Sequence, residues 1–158
     1  MKHLIAILLA LLLVLGSTLS RAGTAINTIG SSEGVAIKGY DAVAYFTAKK
    51  AVQGSPEYSY EWAGAKWLFA NDDNLQKFKQ NPEQWAPQYG GHCALGLSEG
   101  YISAKPTNGE FEVVDGRLYL FPAGTGGSAY HAWRRYAKFN IIAGDKNWPK
   151  LKEGLETK

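Results

Sequence analysis

The order of apolar and polar residues separates an apolar start from a longer mixed segment. An unbroken apolar run covers residues 4–15, after the basic residue Lys2 and before the small residues Ser20 and Ala22. This order is typical of a secretory signal peptide, and the run is shorter than the roughly 20 residues that a membrane span needs. We predict a signal peptide over residues 1–22, cleaved after Ala22, and therefore an exported, periplasmic protein.

Two pairs of segments rich in aromatic and β-branched residues predict antiparallel hairpins. Their turns are residues 63–65 and the Asp115-Gly116 pair, which is a strong signal for a two-residue hairpin turn. Further β-forming residues at 35–46, around a tight turn at 38–41, predict two more short strands. The hairpin strands are predicted at residues 58–62 and 66–70, and at residues 111–114 and 117–121.

Helical segments lie between and after these hairpins. Asn71 is a candidate N-cap, and Asn81 followed by Pro82 ends the helix that it begins. Residues 90–99 predict a second short helix, with Gly100 at its C-terminus.

The last predicted helix begins at Ser128, after a glycine-rich loop at residues 122–127, and ends near Ile142. Trp148 and Pro149 then close the domain. Antiparallel hairpins packed with about three short helices predict an α+β fold. The inner face of the last helix is predicted to consist of Tyr130, Trp133, Ala137 and Ile141.

Composition limits the domain count and the class of partner. Residues 23–33 are small and polar, which predicts a flexible leader before a single domain at residues 34–152. The chain has 17 basic and 14 acidic residues, and removal of Lys2 and Arg21 leaves 15 and 14. A nearly neutral domain has no basic stripe, so we expect no nucleic-acid partner.

The single cysteine, Cys93, directs the search for chemistry. One cysteine cannot form an internal disulfide, so the stability of an exported domain must come from packing. Thiolate and imidazole are good ligands for copper or zinc, which makes His92 and Cys93 candidate metal ligands, with His131 as a third. Asp41 or Glu99 are candidates for an additional oxygen ligand.

Two other interpretations of Cys93 stay open. A free cysteine is commonly a small buried hydrophobic residue, which leaves His92 with a structural role. Alternatively, Cys93 is a nucleophile with His131 as its base, as in thiol-dependent enzymes.

Aromatic residues supply another candidate site. They are numerous for a small core, and alternation along strands turns some of them outward, where they can line a cleft or a docking surface. The set is Tyr58, Tyr60, Trp62, Trp67, Tyr119, Tyr130, Trp133 and Trp148.

Several motifs resemble those of exported YHS-domain proteins. Residues 39–46 read GYDAVAYF, and residues 89–94 read YGGHCA. The resemblance continues through residues 64–89, 115–120 and 147–151, and so covers most of the chain after the signal peptide. It implies an exported protein with the YHS fold.

The YHS domains attached to heavy-metal transporters and sensors carry cysteines that this chain lacks. The corresponding positions here are Ala44, Ala70 and Asn74, none of which is a soft donor. The absence of these cysteines weakens the metal function that the resemblance implies. We expect an exported, periplasmic binding or accessory protein without catalysis of its own, with a transition metal as its candidate ligand. The alternative is a metal-free interaction module that docks an envelope protein through an aromatic surface. Membrane contact is expected only in transit, through the signal peptide.

Overall fold

The structure is a computed structural model that describes residues 24–123 and 128–157. These residues form two antiparallel hairpins and six helices, which confirms the α+β class and exceeds the predicted helix count. The strands are β1 (Ser55–Trp62), β2 (Ala65–Phe69), β3 (Thr107–Val114) and β4 (Arg117–Pro122). The helices are α1 (Ala44–Thr47), α2 (Asp72–Gln80), α3 (Pro82–Trp85), α4 (Ala94–Ser98), α5 (Ser128–Arg135) and α6 (Ala137–Glu156).

The first hairpin turns at Ala63 and Gly64, within the predicted segment. Both residues have positive φ, 50° and 76°, which matches the twist of a two-residue hairpin turn. From β2, the rings of Trp67 and Phe69 each lie 5.0 Å from the ring of Phe78 on α2, centroid to centroid. These aromatic rings belong to the first of two hydrophobic clusters.

The second hairpin turns at Asp115 and Gly116, as predicted. Its strand β4 is buried on both faces, because alternate side chains enter different clusters. Leu118 and Leu120 join the first cluster, whereas Tyr119 and Phe121 join the second. Strand β4 is thus the element that the two halves of the core share.

Residues 35–46 do not form the two predicted strands. Ile37 and Lys38 have positive φ and form a tight turn, and α1 begins at Ala44. The Asp41 side chain accepts hydrogen bonds from the backbone N–H groups of Val43 and Ala44. This local capping stabilises a turn into a helix and overrides the β preference of the neighbouring residues.

Asn71 caps α2 as predicted, since its side chain accepts a hydrogen bond from the backbone N–H of Asn74. The helix predicted at residues 90–99 is shorter than expected and begins only at Ala94. Gly90 and Gly91 have positive φ, which an α-helix does not allow. Gly100 follows with φ of 86°, the left-handed conformation expected after a helix end.

The predicted last helix is two helices, with a break at Tyr136, whose φ is −131°. The second, α6, continues past Ile142 and contains Pro149 in its interior, so the prediction that Trp148 and Pro149 close the domain is wrong. The predicted inner face is confirmed. Trp133 is fully buried, and Tyr130, Ala137 and Ile141 pack against the second cluster.

The segment predicted to be a flexible leader is packed against the domain. Ala25, Ile26 and Asn27 are buried. The Asn27 backbone N–H donates to the Gly90 carbonyl at 2.8 Å, and its side-chain amide donates to the Gly91 carbonyl at 3.1 Å. The packed unit therefore includes residues before 34, because a buried asparagine secures them.

The predicted signal peptide and most of the glycine-rich loop lie outside the described residues. Within the described part of the chain, no helix combines the length and apolar character that crossing a membrane requires.

Candidate functional site

The positions that correspond to the YHS cysteines meet in space. Ala44, Ala70 and Asn74 line one cavity of about 280 Å³ between α1 and the start of α2. The alignment made from sequence alone is therefore spatially coherent. The three side chains offer no thiolate, and the single amide among them is already engaged by the Asp41 carboxylate.

Asp41 lies beside this cavity and is fully buried. One carboxylate oxygen accepts from the backbone N–H groups of Val43 and Ala44, at 2.9 and 3.1 Å. The other accepts from the Ala70 N–H at 2.8 Å and from the Asn74 side-chain amide at 2.7 Å. Four donors occupy the carboxylate, so Asp41 is not available as the additional metal ligand considered above.

His92 is buried, with 3% of its surface exposed. Burial lowers the pKa of His92 to about 4, against a smaller opposite effect of the Ala25 carbonyl, so the imidazole is neutral at pH 7. That carbonyl is not placed for a regular hydrogen bond, and neither ring nitrogen has one within the described residues. The ring lies beside Trp148, with centroids 6.3 Å apart.

Cys93 is buried in the second cluster, among apolar and aromatic side chains that include Leu97 and Trp133. Burial raises the pKa of the Cys93 thiol. A protonated, enclosed thiol is a poor nucleophile. The geometry thus matches the interpretation of Cys93 as a small hydrophobic residue.

His131 is exposed on α5, where its ring contacts Tyr130. The residues that the structure describes contain no group of three or more His, Cys, Asp or Glu side chains able to hold a metal ion. The predicted convergence of His92, Cys93 and His131 is therefore absent from this structure. The physical reason is that His131 lies on the outer surface, whereas His92 and Cys93 are enclosed in the core.

An open cleft of about 430 Å³ is lined by aromatic side chains, and we call it the aromatic cleft. Its aromatic lining consists of Trp62 of β1, Tyr89, and Trp148 of α6. Trp62 and Trp148 are both half-buried, so each presents apolar surface to the cleft. Of the aromatic residues proposed for an exposed surface, Trp67, Tyr119 and Trp133 instead fill the core.

The charged residues of the aromatic cleft are Glu83, Lys152 and Glu156. Lys152 and Glu156 form an ion pair at 3.6 Å. Glu83 is the one of the three that forms no ion pair with any residue that the structure describes. None of the three was identified from the sequence. Lys152 and Glu156 reach the cleft because α6 packs beside Tyr89. This contact joins distant parts of the chain, so no local motif predicts it.

Tyr89 connects the aromatic cleft to α6. Its hydroxyl lies 3.0 Å from the Asp145 carboxylate and 3.3 Å from the Ile141 carbonyl, both on α6. The Tyr89 and Trp148 rings meet edge to face, with centroids 6.1 Å apart. At Gly90, an added Cβ would lie 2.1 Å from the Ala25 carbonyl oxygen, so only glycine permits residues 24–27 to approach this closely.

Comparison with known proteins gives one family match. The model of the YHS domain family matches residues 43–89. The matched segment includes Trp62 and Tyr89 and ends before α6, so the aromatic cleft lies partly inside it and partly outside. No curated protein and no solved structure matches the chain.

Proposed function

This chain is a YHS domain-containing protein, and from that premise we propose that it is an exported binding protein without catalysis of its own. Its partner occupies the aromatic cleft. The observation that carries the proposal is the cleft itself, which has half-buried tryptophans in its lining and a volume of about 430 Å³. Concave sites that combine aromatic side chains with polar groups are the usual form of a small-molecule site, and this cleft adds Glu83, Gln88, Lys152 and Glu156 to its aromatic lining.

The charges of the cleft favour a neutral or cationic partner. Glu83 is the acidic residue left after Lys152 pairs with Glu156. Aromatic faces attract cations through the ring quadrupole, and an unpaired carboxylate adds to that attraction. The non-catalytic part of the proposal is supported by the burial of Cys93 and the raised pKa of its thiol.

A blocked cleft tests the proposal. Gln88 lines the cleft, whereas Gln84 is exposed on α3 and does not. We expect the neutral aromatic dye N-phenyl-1-naphthylamine to bind the full chain saturably, as measured by dye fluorescence. In Gln88→Trp the added ring should occupy part of the cleft and displace the dye from about one large apolar contact, which weakens binding about tenfold. Gln84→Trp should leave binding unchanged. Equal binding by both variants would contradict the assignment.

A transition-metal role is the second candidate, favoured by one observation. Both ring nitrogens of the buried His92 lack hydrogen bonds within the described residues, and Cys93 follows it directly. Metal binding to this pair would need a rearrangement of the core, because both side chains are enclosed.

Elemental analysis separates the two candidates. The full chain, made without a histidine tag and exposed to copper, zinc and nickel, should retain far less than one equivalent of metal. The variant Ala44→Cys, Ala70→Cys, Asn74→Cys should retain metal, because it places thiols around one cavity. Stoichiometric metal in the parent that disappears in His92→Ala would establish the metal role instead.

A further inference from the structure

The outer surface of α6 carries apolar side chains that the fold leaves uncovered. Tyr136, Phe139 and Ile142 are 59%, 72% and 59% exposed. At about 100° per residue they fall within one arc of roughly 120°, opposite the side of α6 that carries Ile141 and Trp148 into the second cluster. We call this surface the outer face of α6. It is independent of the aromatic cleft.

Basic residues lie in or next to the same arc. Lys138, Lys146 and Lys150 are exposed. Helical geometry places Lys146 and Lys150 inside the arc and Lys138 about 40° outside it, on the side of Ile142. None of the three lysines forms an ion pair within the part of the chain that the structure describes. Their ammonium groups are therefore free to meet an external anion.

Acidic residues are scarce around this surface. Asp145 is the sole acidic residue between positions 128 and 152, and its carboxylate is engaged by Tyr89 and Arg117. The next acidic residue, Glu153, falls within the arc about one turn beyond Lys150 and about 16 Å along the axis from Ile142 at 1.5 Å per residue. Around Phe139, Ile142 and Lys146, the outer face of α6 is thus apolar and positively charged at once.

We infer that the outer face of α6 binds the surface of an anionic lipid bilayer, with Phe139, Ile142 and Tyr136 entering the interface and the lysines contacting the headgroups. Interfacial helices combine apolar and aromatic residues with lysines in this way. A cavity of about 330 Å³ adjoins the Tyr136 end of the face. Phe139 and Ile142 lie on the convex surface of one helix, which suits a flat partner better than an extended peptide. A second copy is disfavoured, because two such faces would bring like charges together.

The attraction between the lysines and anionic headgroups depends on salt, because exposed charges are screened at higher ionic strength.

Vesicle flotation tests the inference with the full chain. We expect binding to vesicles of phosphatidylglycerol and phosphatidylcholine, weaker binding to phosphatidylcholine alone, and a loss of binding at 0.5 M salt. Phe139→Ser with Ile142→Ser should weaken binding at least about tenfold, from the apolar area removed. Tyr101→Ser is the matched control, because Tyr101 is 51% exposed outside α6. Equal flotation of all variants, or no preference for the anionic vesicles, would overturn the inference.

The apolar run at residues 4–15 could itself bind vesicles, so a second measurement reports on the outer face of α6 alone. A polarity-sensitive dye on Ile142→Cys should shift to shorter wavelength with anionic vesicles, and the same dye on Tyr101→Cys should not. The native Cys93 is buried and does not compete for the label. No shift at position 142 would refute insertion of the outer face of α6.

Discussion

Single side chains determine what the YHS cysteine positions can do in this protein. The Asp41 carboxylate accepts from four donors, which lie at the start of α1, directly after β2 and in α2, and so joins these segments in one hydrogen-bonded group. A buried carboxylate is tolerated only when its acceptor sites are occupied. The group therefore holds together the segments that a metal ion and its thiolates would otherwise connect.

Asp41→Asn tests this structural role. The amide would direct an N–H group at backbone N–H donors, so we expect the free energy of unfolding to fall by about 3 kcal/mol. Denaturant unfolding measures it. Asp73→Asn is the control, since its exposed ion pair with Lys77 contributes roughly 0.5 kcal/mol. Similar losses in the two variants would show that the Asp41 network is not a main source of stability.

His92 predicts a dependence of stability on pH. Its pKa is about 4 in the folded chain and the ordinary 6.5 in the unfolded chain. The unfolded state therefore binds more protons between these values. The contribution of the neutral His92 imidazole to the free energy of unfolding is fully present above pH 6.5. It is lost as pH falls toward 4, and the total loss is up to about 3 kcal/mol.

The variant His92→Leu should remove this contribution, so its unfolding free energy should fall less than the parent's between pH 6.5 and 4. Denaturant unfolding across that range measures the difference. His131→Gln should follow the parent, because His131 is exposed. If His92→Leu keeps the full pH dependence of the parent, the buried imidazole is not its source.

Among the elements, α6 shows how one helix docks through a glycine. A Cβ at Gly144 would lie 2.5 Å from the Tyr89 hydroxyl oxygen, whereas a Cβ at Gly154 would meet nothing within 4 Å. Close packing makes the first position intolerant of added volume. The second pays only the entropic cost of glycine in a helix.

Alanine at the two positions should therefore change stability in opposite directions. We expect Gly144→Ala to lower the free energy of unfolding by about 1–3 kcal/mol and Gly154→Ala to raise it by up to about 1 kcal/mol. Thermal or denaturant unfolding measures both. A neutral Gly144→Ala would mean that α6 is not held against Tyr89 as described.

The elements with local signals could be predicted, and those set by distant contacts could not. Asp115-Gly116 and Asn71 specify their turn and cap through neighbouring atoms, and both predictions are confirmed. The prediction of strands at residues 35–46 is wrong. Asp41, which accepts from the N–H groups two and three residues after it, could have been recognised in the sequence as a signal for a turn into a helix. Trp62 and Trp148 were among the aromatic residues expected to line a cleft, and both do. Which of those residues would instead fill the core could not be predicted, because it depends on how α6 packs against the rest of the chain.

At the scale of the whole molecule, the packed unit begins earlier than the composition of the chain predicted, because Ala25, Ile26 and Asn27 are buried. The side-chain amide of Asn27 donates to the Thr107 hydroxyl at 2.9 Å and to the Gly91 carbonyl. The backbone carbonyl of Asn27 accepts from the backbone N–H of Ile37. These contacts join segments from three regions of the chain. The small polar residues at 23–33 predicted a flexible leader, but the hydrogen bonds of the buried Asn27 fix the segment around it against the rest of the domain.

Truncation tests the contribution of this segment. A chain that begins at residue 34 should lose at least about 3 kcal/mol of unfolding free energy relative to one that begins at residue 24, at about 1 kcal/mol for each lost hydrogen bond. A chain that ends at residue 152 should lose much less, since residues 153–157 are mainly exposed. Equal stability of the chains beginning at 24 and 34 would restore the interpretation of a dispensable leader.

The two faces of α6 have a thermodynamic consequence. One face forms a side of the aromatic cleft through Trp148, and the other carries the exposed Phe139 and Ile142. A rigid helix transmits a displacement of one face to the other. If a ligand moves α6 as it fills the cleft, it changes the affinity of the outer face of α6 for a membrane. Membrane binding must then change the affinity of the cleft for the ligand by the same factor. Dye affinity measured with and without anionic vesicles would give that coupling factor directly.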